Sequence, residues 1–173
     1  MGEGLKFESV VAQFYEPLYQ FAFSLAHNEA DACDLAQQTF YVWATKGHQL
    51  RDKSKVKTWL FTTLHREFLH SRRRNTRWPH DELDSAQSQL PVIPSVAARK
   101  VDGRAALGAL QRVDEVFRAP LALFYIEDTP YKDIAEILEI PIGTVKSRIA
   151  RGIAQLQQLL ADQPAQDREG GPA

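Results

Sequence analysis

The chain has 173 residues, 44 % of them hydrophobic and 25 % charged, with a net charge of −1 and a single cysteine, Cys33. These values suit a soluble globular protein of one domain or two small ones, and one thiol excludes an internal disulfide framework. No apolar run approaches the ~20 residues that span a bilayer, and the start MGEGLKFESVV lacks the basic lead and apolar block of a secretory signal. A reducing, cytoplasmic setting without membrane insertion is expected.

Apolar residues recur at helical spacing through most of the sequence. Phe7, Val10, Val11, Phe14, Leu18, Phe21 and Leu25 form a first stripe, spaced as on one face of a helix. Asn28 reads as the N-cap of a second helix, with Asp31 three residues on, and Leu35, Ala36, Phe40 and Trp43 give that helix an apolar face. Gly47 should stop it. A third helix is predicted from about Lys55 to Asn75, burying Val56, Trp59, Leu60, Thr63, Leu64 and Phe68. From Pro79 the stretch PHDELDSAQSQLPVIPSVAARK has three prolines and little periodicity, which reads as a linker. Helical spacing resumes near Asp102, with Ala106, Leu110 and Val113 on one side. Pro120 should kink the next helix or mark its true start. The tail DQPAQDREGGPA is polar and expected to be disordered. No β-strand candidate alternates convincingly, so the predicted class is all-α, two small helical domains joined by a flexible linker.

The near-zero net charge conceals a block arrangement. Residues 1–50 carry two Lys/Arg against six Asp/Glu, residues 51–78 carry nine against two, and residues 79–173 carry ten against fourteen. Four arginines fall between Arg72 and Arg77. A basic block between acidic flanks fits an anionic partner met by one surface, and equally a solvated basic helix end.

The segment TPYKDIAEILEIPIGTVKSRIARGIAQLQQLL contains two helices around a very short turn. Thr129 can cap the first, with Pro130 at its first position. Ile134, Ala135 and Leu138 then point inward, Ile140 fills the corner, and Val145, Ile149, Ile153 and Leu156 form the inner face of the second helix. At 100° per residue this turns Lys146, Ser147, Ala150 and Arg151 outward. A helix so decorated near its amino end can enter a major groove, so a helix-turn-helix is favoured over a plain helical hairpin. Such turns often carry Gly where this chain has Glu139, which implies a left-handed non-glycine residue there.

NEADACDLAQQTFYVWA, then KTWLFTTLHREFLHSRRR, then YKDIAEILEIPIGTVKSRIARG resemble, in order and spacing, bacterial sigma factors of the extracytoplasmic-function type. These keep only the second and fourth conserved sigma regions. The resemblance implies region 2 over residues 1–78, a linker over 79–100, region 4 over 101–161 and a tail over 162–173. It implies an alternative sigma factor that binds core RNA polymerase, reads −35 and −10 promoter elements and opens the duplex. Asp31, Asp34 and Gln38 would dock on the clamp helices of the polymerase β′ subunit, with the β subunit a further contact. Arg51, Lys53, Lys55 and Lys57 would surround a flipped-out promoter base. Phe61, Thr62, His65 and Arg66 would line the melted single-stranded −10 segment, with Arg72, Arg73 and Arg74 on its backbone, as cations and flat side chains suit unstacked strands. Trp59 is better read as a core residue. Thr144, Lys146, Ser147, Arg148, Ala150 and Arg151 would meet the duplex −35 element. Acidic Asp81, Glu82 and Asp84 of the linker would repel nucleic acid in the polymerase cleft. An anti-sigma factor is a further partner that the resemblance allows, and the active protein would be nucleoid-associated. Relatives commonly carry Asn at the position of Arg66 and acidic residues at those of Cys33 and Gln38. Packing is the favoured reading of Cys33.

Two other classes compete with this reading. An autonomous helix-turn-helix regulator would bind an operator without polymerase, but has no use for a basic, aromatic-bearing amino-terminal half. An enzyme is disfavoured: His65 and His70 are five residues apart and Cys33 stands alone, so no metal-ligand spacing, catalytic carboxylate pair or phosphate-cradling Gly loop emerges. No cofactor is expected.

Overall fold

The computed structural model of the chain describes residues 5–77 and 103–162. The expected linker, with Asp81, Glu82 and Asp84, and nearly all of the expected tail lie outside the described residues. Seven α-helices are found among the described residues: α1 Phe7–Ala26, α2 Glu29–Lys46, α3 Val56–Arg77, α4 Gly103–Arg112, α5 Glu115–Tyr125, α6 Tyr131–Leu138 and α7 Ile142–Ala161. Short 3₁₀ turns at Gly47–Gln49 and Lys53–Lys55 join α2 to α3. No strand occurs among the described residues, and the fold is all-α as predicted.

The first three helices pack mutually around Leu18, Phe21, Ala22, Leu35, Phe40, Leu60 and Leu64. Burial of each large side chain in such a core contributes about 1.5–3 kcal/mol. His27 ends α1 in the left-handed conformation, φ 67°, with its N–H bonded to the Phe23 carbonyl at 2.9 Å, which reverses the chain into α2. Asn28 caps α2 as expected: its side-chain oxygen accepts from the Asp31 N–H at 2.8 Å, and its amide donates to the Asp31 carboxylate at 2.8 Å. α2 ends at Lys46 as expected, with Gly47 in a right-handed conformation, φ −61°, where a Cβ would lie 2.6 Å from the Trp43 ring. Trp43 in turn meets Trp59 edge-on at 5.2 Å.

Three details depart from the sequence expectations. Phe7, the first residue of α1, is 44 % exposed, at the mouth of a cleft that it lines with Trp43 and Ala44 of α2. Pro120 does not mark the start of its helix, which begins five residues earlier and continues through the buried proline. Thr129 is not the N-cap of α6. That helix starts one residue later than expected, with Pro130 in the capping position, and the Thr129 hydroxyl is buried and turned back to the Glu127 carbonyl at 3.4 Å.

The last four helices form a second small bundle. Asp114, between α4 and α5, is tied to α7 by two hydrogen bonds: its N–H donates to Gln155 Oε1 at 3.0 Å and its carboxylate accepts from Gln155 Nε2 at 2.8 Å. Glycine is needed at position 152, where α7 crosses α5: a Cβ would sit 2.6 Å from Leu121 Cδ1 and 3.2 Å from Phe117 Cβ. The two bundles are not separate in space. α1 packs on α4 and α5, α3 packs on α6, and one apolar core runs through both.

Because Leu121 is itself fully buried, Gly152→Val should force the α5–α7 crossing apart. The expected loss is about 1–3 kcal/mol, as for other overpacked cores, read as a lower midpoint in urea denaturation.

Candidate nucleic-acid and polymerase interface

α7 carries the side chains expected at a duplex. Val145, Ile149 and Gly152 are buried against α5 and α6, whereas Lys146, Ser147, Ala150 and Arg151 are exposed on the opposite face. Thr144 and Arg148 are half-buried at the edge of that face. The turn before α7 has the left-handed residue that the sequence implied: Glu139, φ 56°, whose N–H closes α6 on the Ala135 carbonyl. A non-glycine side chain in this conformation is held at a cost of about 1 kcal/mol.

On α2, the exposed residues Asp31, Asp34 and Gln38 share one face, opposite buried Ala32, Leu35, Ala36 and Thr39. They line a groove of ≈ 1130 Å³ together with His70, Arg72 and Arg74 of α3. The residues expected at the polymerase and those expected on the promoter backbone are therefore neighbours. Cys33, half-buried, packs against the core and bonds the Tyr15 side chain.

α3 is where the expected site and the structure diverge. Arg51, Lys53 and Lys55 are exposed before or at its start. Asp52 organises this stretch by accepting from the Ser54 N–H at 3.0 Å and hydroxyl at 2.6 Å, bonds that hold its carboxyl below the usual value. Phe61, however, is fully buried, its ring 5.4 Å from that of Phe21. The inward face of α3 is one residue wider than the spacing suggested and takes Leu60, Phe61, Leu64 and Phe68 together, so Phe61 offers no surface to a strand in this structure. Thr62 is half-buried and returns its hydroxyl to the Thr58 carbonyl at 2.7 Å.

Three basic side chains of α3, and Lys55 just before it, are engaged by the carboxy-terminal bundle. Lys55 pairs with Glu136 at 3.2 Å, Arg66 with Glu139, and Arg72 with Glu115. Lys57 Nζ donates to the Glu127 carbonyl at 3.2 Å and lies over the Phe61 ring. Arg118 donates to His27 Nε2 across the same seam. Burial, and then Arg118 and Arg72, push the His27 imidazole down to about 4. Burial and Arg148 do the same to His65, to about 4, against the opposing pull of Glu139. Both rings are thus neutral near pH 7. No local signal in the sequence marks these acidic partners. Only the excess of Asp/Glu after residue 78 could have suggested that the basic block meets counter-charges within the chain.

Residues 10–77 match the family described as Sigma-70 region 2, and residues 104–156 match Sigma-70, region 4. The chain is 30 % identical over 150 residues to the ECF RNA polymerase sigma factor EcfG of Rhodopseudomonas palustris (strain TIE-1), covering 87 % of this chain and 82 % of that protein. It is 24 % identical over 165 residues to the RNA polymerase sigma factor YlaC of Bacillus subtilis (strain 168), covering 93 % and 95 %. The chain belongs to the extracytoplasmic-function sigma factors. Among solved structures, the sigma factor RpoE of Bartonella quintana, in complex with the anti-sigma factor NepR, superposes with a TM-score of 0.76 at 28 % identity. That match spans 91 % of this chain and 98 % of RpoE. CnrH in complex with the cytosolic domain of CnrY superposes with a TM-score of 0.64 at 25 % identity, covering 91 % and 89 %. As a sigma factor of this family, the protein directs transcription initiation, and the reading as an autonomous regulator is not favoured. No described helix of this sigma factor is long and apolar enough to cross a membrane.

Glu127 makes the seam of the sigma factor sensitive to pH. Its Oε1 is buried without a hydrogen-bond partner among the described residues, and burial pushes the carboxyl up to about 7 despite nearby Lys57. A raised carboxyl favours the folded state below its unfolded value, and that contribution is lost as pH rises through about 7. Glu127→Gln, which does not titrate, should therefore gain stability over the parent between pH 5 and pH 8, by about 1–3 kcal/mol. Urea denaturation at the two pH values measures the difference; equal differences would place the carboxyl in water.

Proposed function

We propose that the amino-terminal bundle, α1 to α3, is the region that docks on core RNA polymerase and handles the −10 element, and that α6 and α7 read the −35 duplex. The observation that carries this reading is the sorting of α7: Lys146, Ser147, Ala150 and Arg151 face out along one stripe while Val145, Ile149 and Gly152 hold the helix to α5 and α6. Arg and Lys reach guanine edges or phosphates, and Ser either, from a helix lying in a major groove. Thr144 and Arg148 flank the stripe and contact the backbone. Asp31, Asp34 and Gln38 supply the acidic and polar face for a basic helix of the β′ subunit, with Asp31 fixed in place by its reciprocal bonds to Asn28. Arg51, Lys53, Lys55, Lys57, Thr62, His65, Arg66, Arg72, Arg73 and Arg74 form the strand-binding surface. Phe61 acts from beneath, by setting the position of α3.

The protein performs no catalytic step of its own and works in the cytoplasm, at the nucleoid when bound to polymerase. An anti-sigma factor is the regulatory partner, since the two solved relatives that superpose over both bundles are named with NepR and CnrY. Transcription in vitro with sigma-free core polymerase on the upstream region of its own gene tests the whole reading. Specific initiation should appear only when both proteins are present. Tight operator binding by the purified chain, with no effect of polymerase, would favour an autonomous regulator.

Within that assay, Arg151→Ala and Lys146→Ala should each lower initiation at a −35-dependent promoter, by about 1–3 kcal/mol where a base contact is lost. Both should leave binding to core polymerase intact. Normal transcription by either variant would remove that residue from the reading face.

A further inference from the structure

The first turn of α7 carries a side chain that the fold does not use. Ile142 opens the helix and is 45 % exposed, although isoleucine is among the residue types most often buried. Its neighbours show the contrast. Ile140, two residues earlier, packs against the core at the corner of the helix-turn-helix, and Val145, three residues later, is fully buried. At 100° per residue, Ile142 lies one turn before Lys146 and two before Ala150, while Gly143 lies one turn before Ser147 and two before Arg151. All six are exposed, so the outward stripe of α7 is continuous from its first residue. Gly143 is equally unexplained by packing. A Cβ there would meet nothing within 4 Å, and its φ is not positive. Glycine at a helical position is less stable than alanine, yet neither a close contact nor a left-handed backbone calls for it here.

We infer that Ile142 is a thymine reader: it meets the C5-methyl group of one base in the major groove, and Gly143 keeps the helix end bare enough for that approach. The inference rests on the assignment of α7 to the −35 duplex. Recognition helices place their amino-terminal residues against base edges. In the major groove thymine presents a methyl group, and apolar side chains are what recognise it. Ile142 has no side-chain donor or acceptor, so the methyl group is the feature of a base edge that it can select. Lys146 and Arg151, on the same stripe, make a polyanion the fitting occupant of this surface, rather than an apolar protein groove. The apolar and cationic contacts differ in their response to salt. Lys146 on a phosphate releases counterions, whereas a methyl group packed on Ile142 releases none.

The test uses the full chain assembled with core polymerase and a pool of duplex DNA randomised upstream of a fixed start site. Selection with the parent should return thymine at one position of the −35 element. Selection with Ile142→Ala should leave that position open to all four bases and keep the others. The winning duplex is then rebuilt with uracil at that thymine, which removes only the methyl group. The parent should lose about three- to five-fold in affinity, the size of one buried methyl. Ile142→Ala should bind both duplexes alike, with the salt dependence of the parent, and Ile142→Val, which keeps an apolar branch, should still tell them apart. Gly143→Ala should keep or raise the thermal midpoint of the free chain, since the added methyl group has room, yet bind the thymine duplex more weakly. Identical selected sequences from the parent and Ile142→Ala, or a uracil effect that survives in that variant, would overturn the thymine contact. No upstream base preference in the parent, with Lys146→Ala equally indifferent, would instead remove the −35 assignment of α7, and the contact with it.

Discussion

The structure depends on how α3 disposes of its charge. Its inward face, Leu60, Phe61, Leu64 and Phe68, is the wall against which α1 and α2 close, and the same helix carries most of the chain's basic block on its other sides. A helix with one strongly apolar face and one strongly cationic face cannot neutralise itself through neighbours three and four residues along, because Glu67 is the only acidic residue it contains. Its cations need water, nucleic acid or a separate acidic surface. The carboxy-terminal bundle supplies that surface, and the apolar contact between the bundles follows from the same approach.

This explains why a nearly neutral chain segregates its charge. The carboxy-terminal acidic residues that pair with the basic block are on α5, on α6 and in the turn after it, while Lys146 and Arg151 of the same half are exposed on α7. One small bundle thus presents an anionic side to its own partner helix and, on α7, a cationic stripe to solvent. The helix-turn-helix separates the two sides. α6 pairs inward through Glu136 and Glu139, and α7, starting beyond the turn, turns Lys146 and Arg151 away.

Much of this could be read from local pattern. The helix order, the Asn28 cap, the stop at Gly47 and the outward stripe of α7 all follow from spacing and capping chemistry confined to a few neighbouring residues. So does the left-handed Glu139, required by a turn too short for any other path. The misses share a different cause. Phe61 lies next to Leu60, and its burial depends on Phe21 of α1, a contact 40 residues away in sequence. Pro120 is tolerated in α5 because the surrounding bundle holds the helix through it, a tertiary override of a local penalty. Thr129 loses its capping role because the chain after Asp128, itself left-handed at φ 47°, enters α6 one residue later. The acidic partners of α3 were illegible for a stronger reason: pairs 73 and 81 residues apart leave no periodic trace in a single sequence.

The composition of the seam also sets how it can open. Neutral His27 and His65, a Glu127 Oε1 with no hydrogen-bond partner among the described residues and three solvated ion pairs make an interface that closes without deep ionic burial. A buried, fully paired charge network would be strongly destabilised by the loss of any member, and would open only at a cost comparable to unfolding a bundle. Exposed pairs contribute about 0–1 kcal/mol each, so they bias the closed state without locking it. A ligand that needs an open form binds with its intrinsic affinity reduced by the fraction open, whereas the face of Asp31, Asp34 and Gln38, proposed above for polymerase, is left exposed by the seam. Docking on that face brings the partner to the groove bordered by Arg72 and Arg74, beside the Arg72–Glu115 pair. A partner on the proposed docking face would therefore border the seam, beside a pair weak enough to be exchanged.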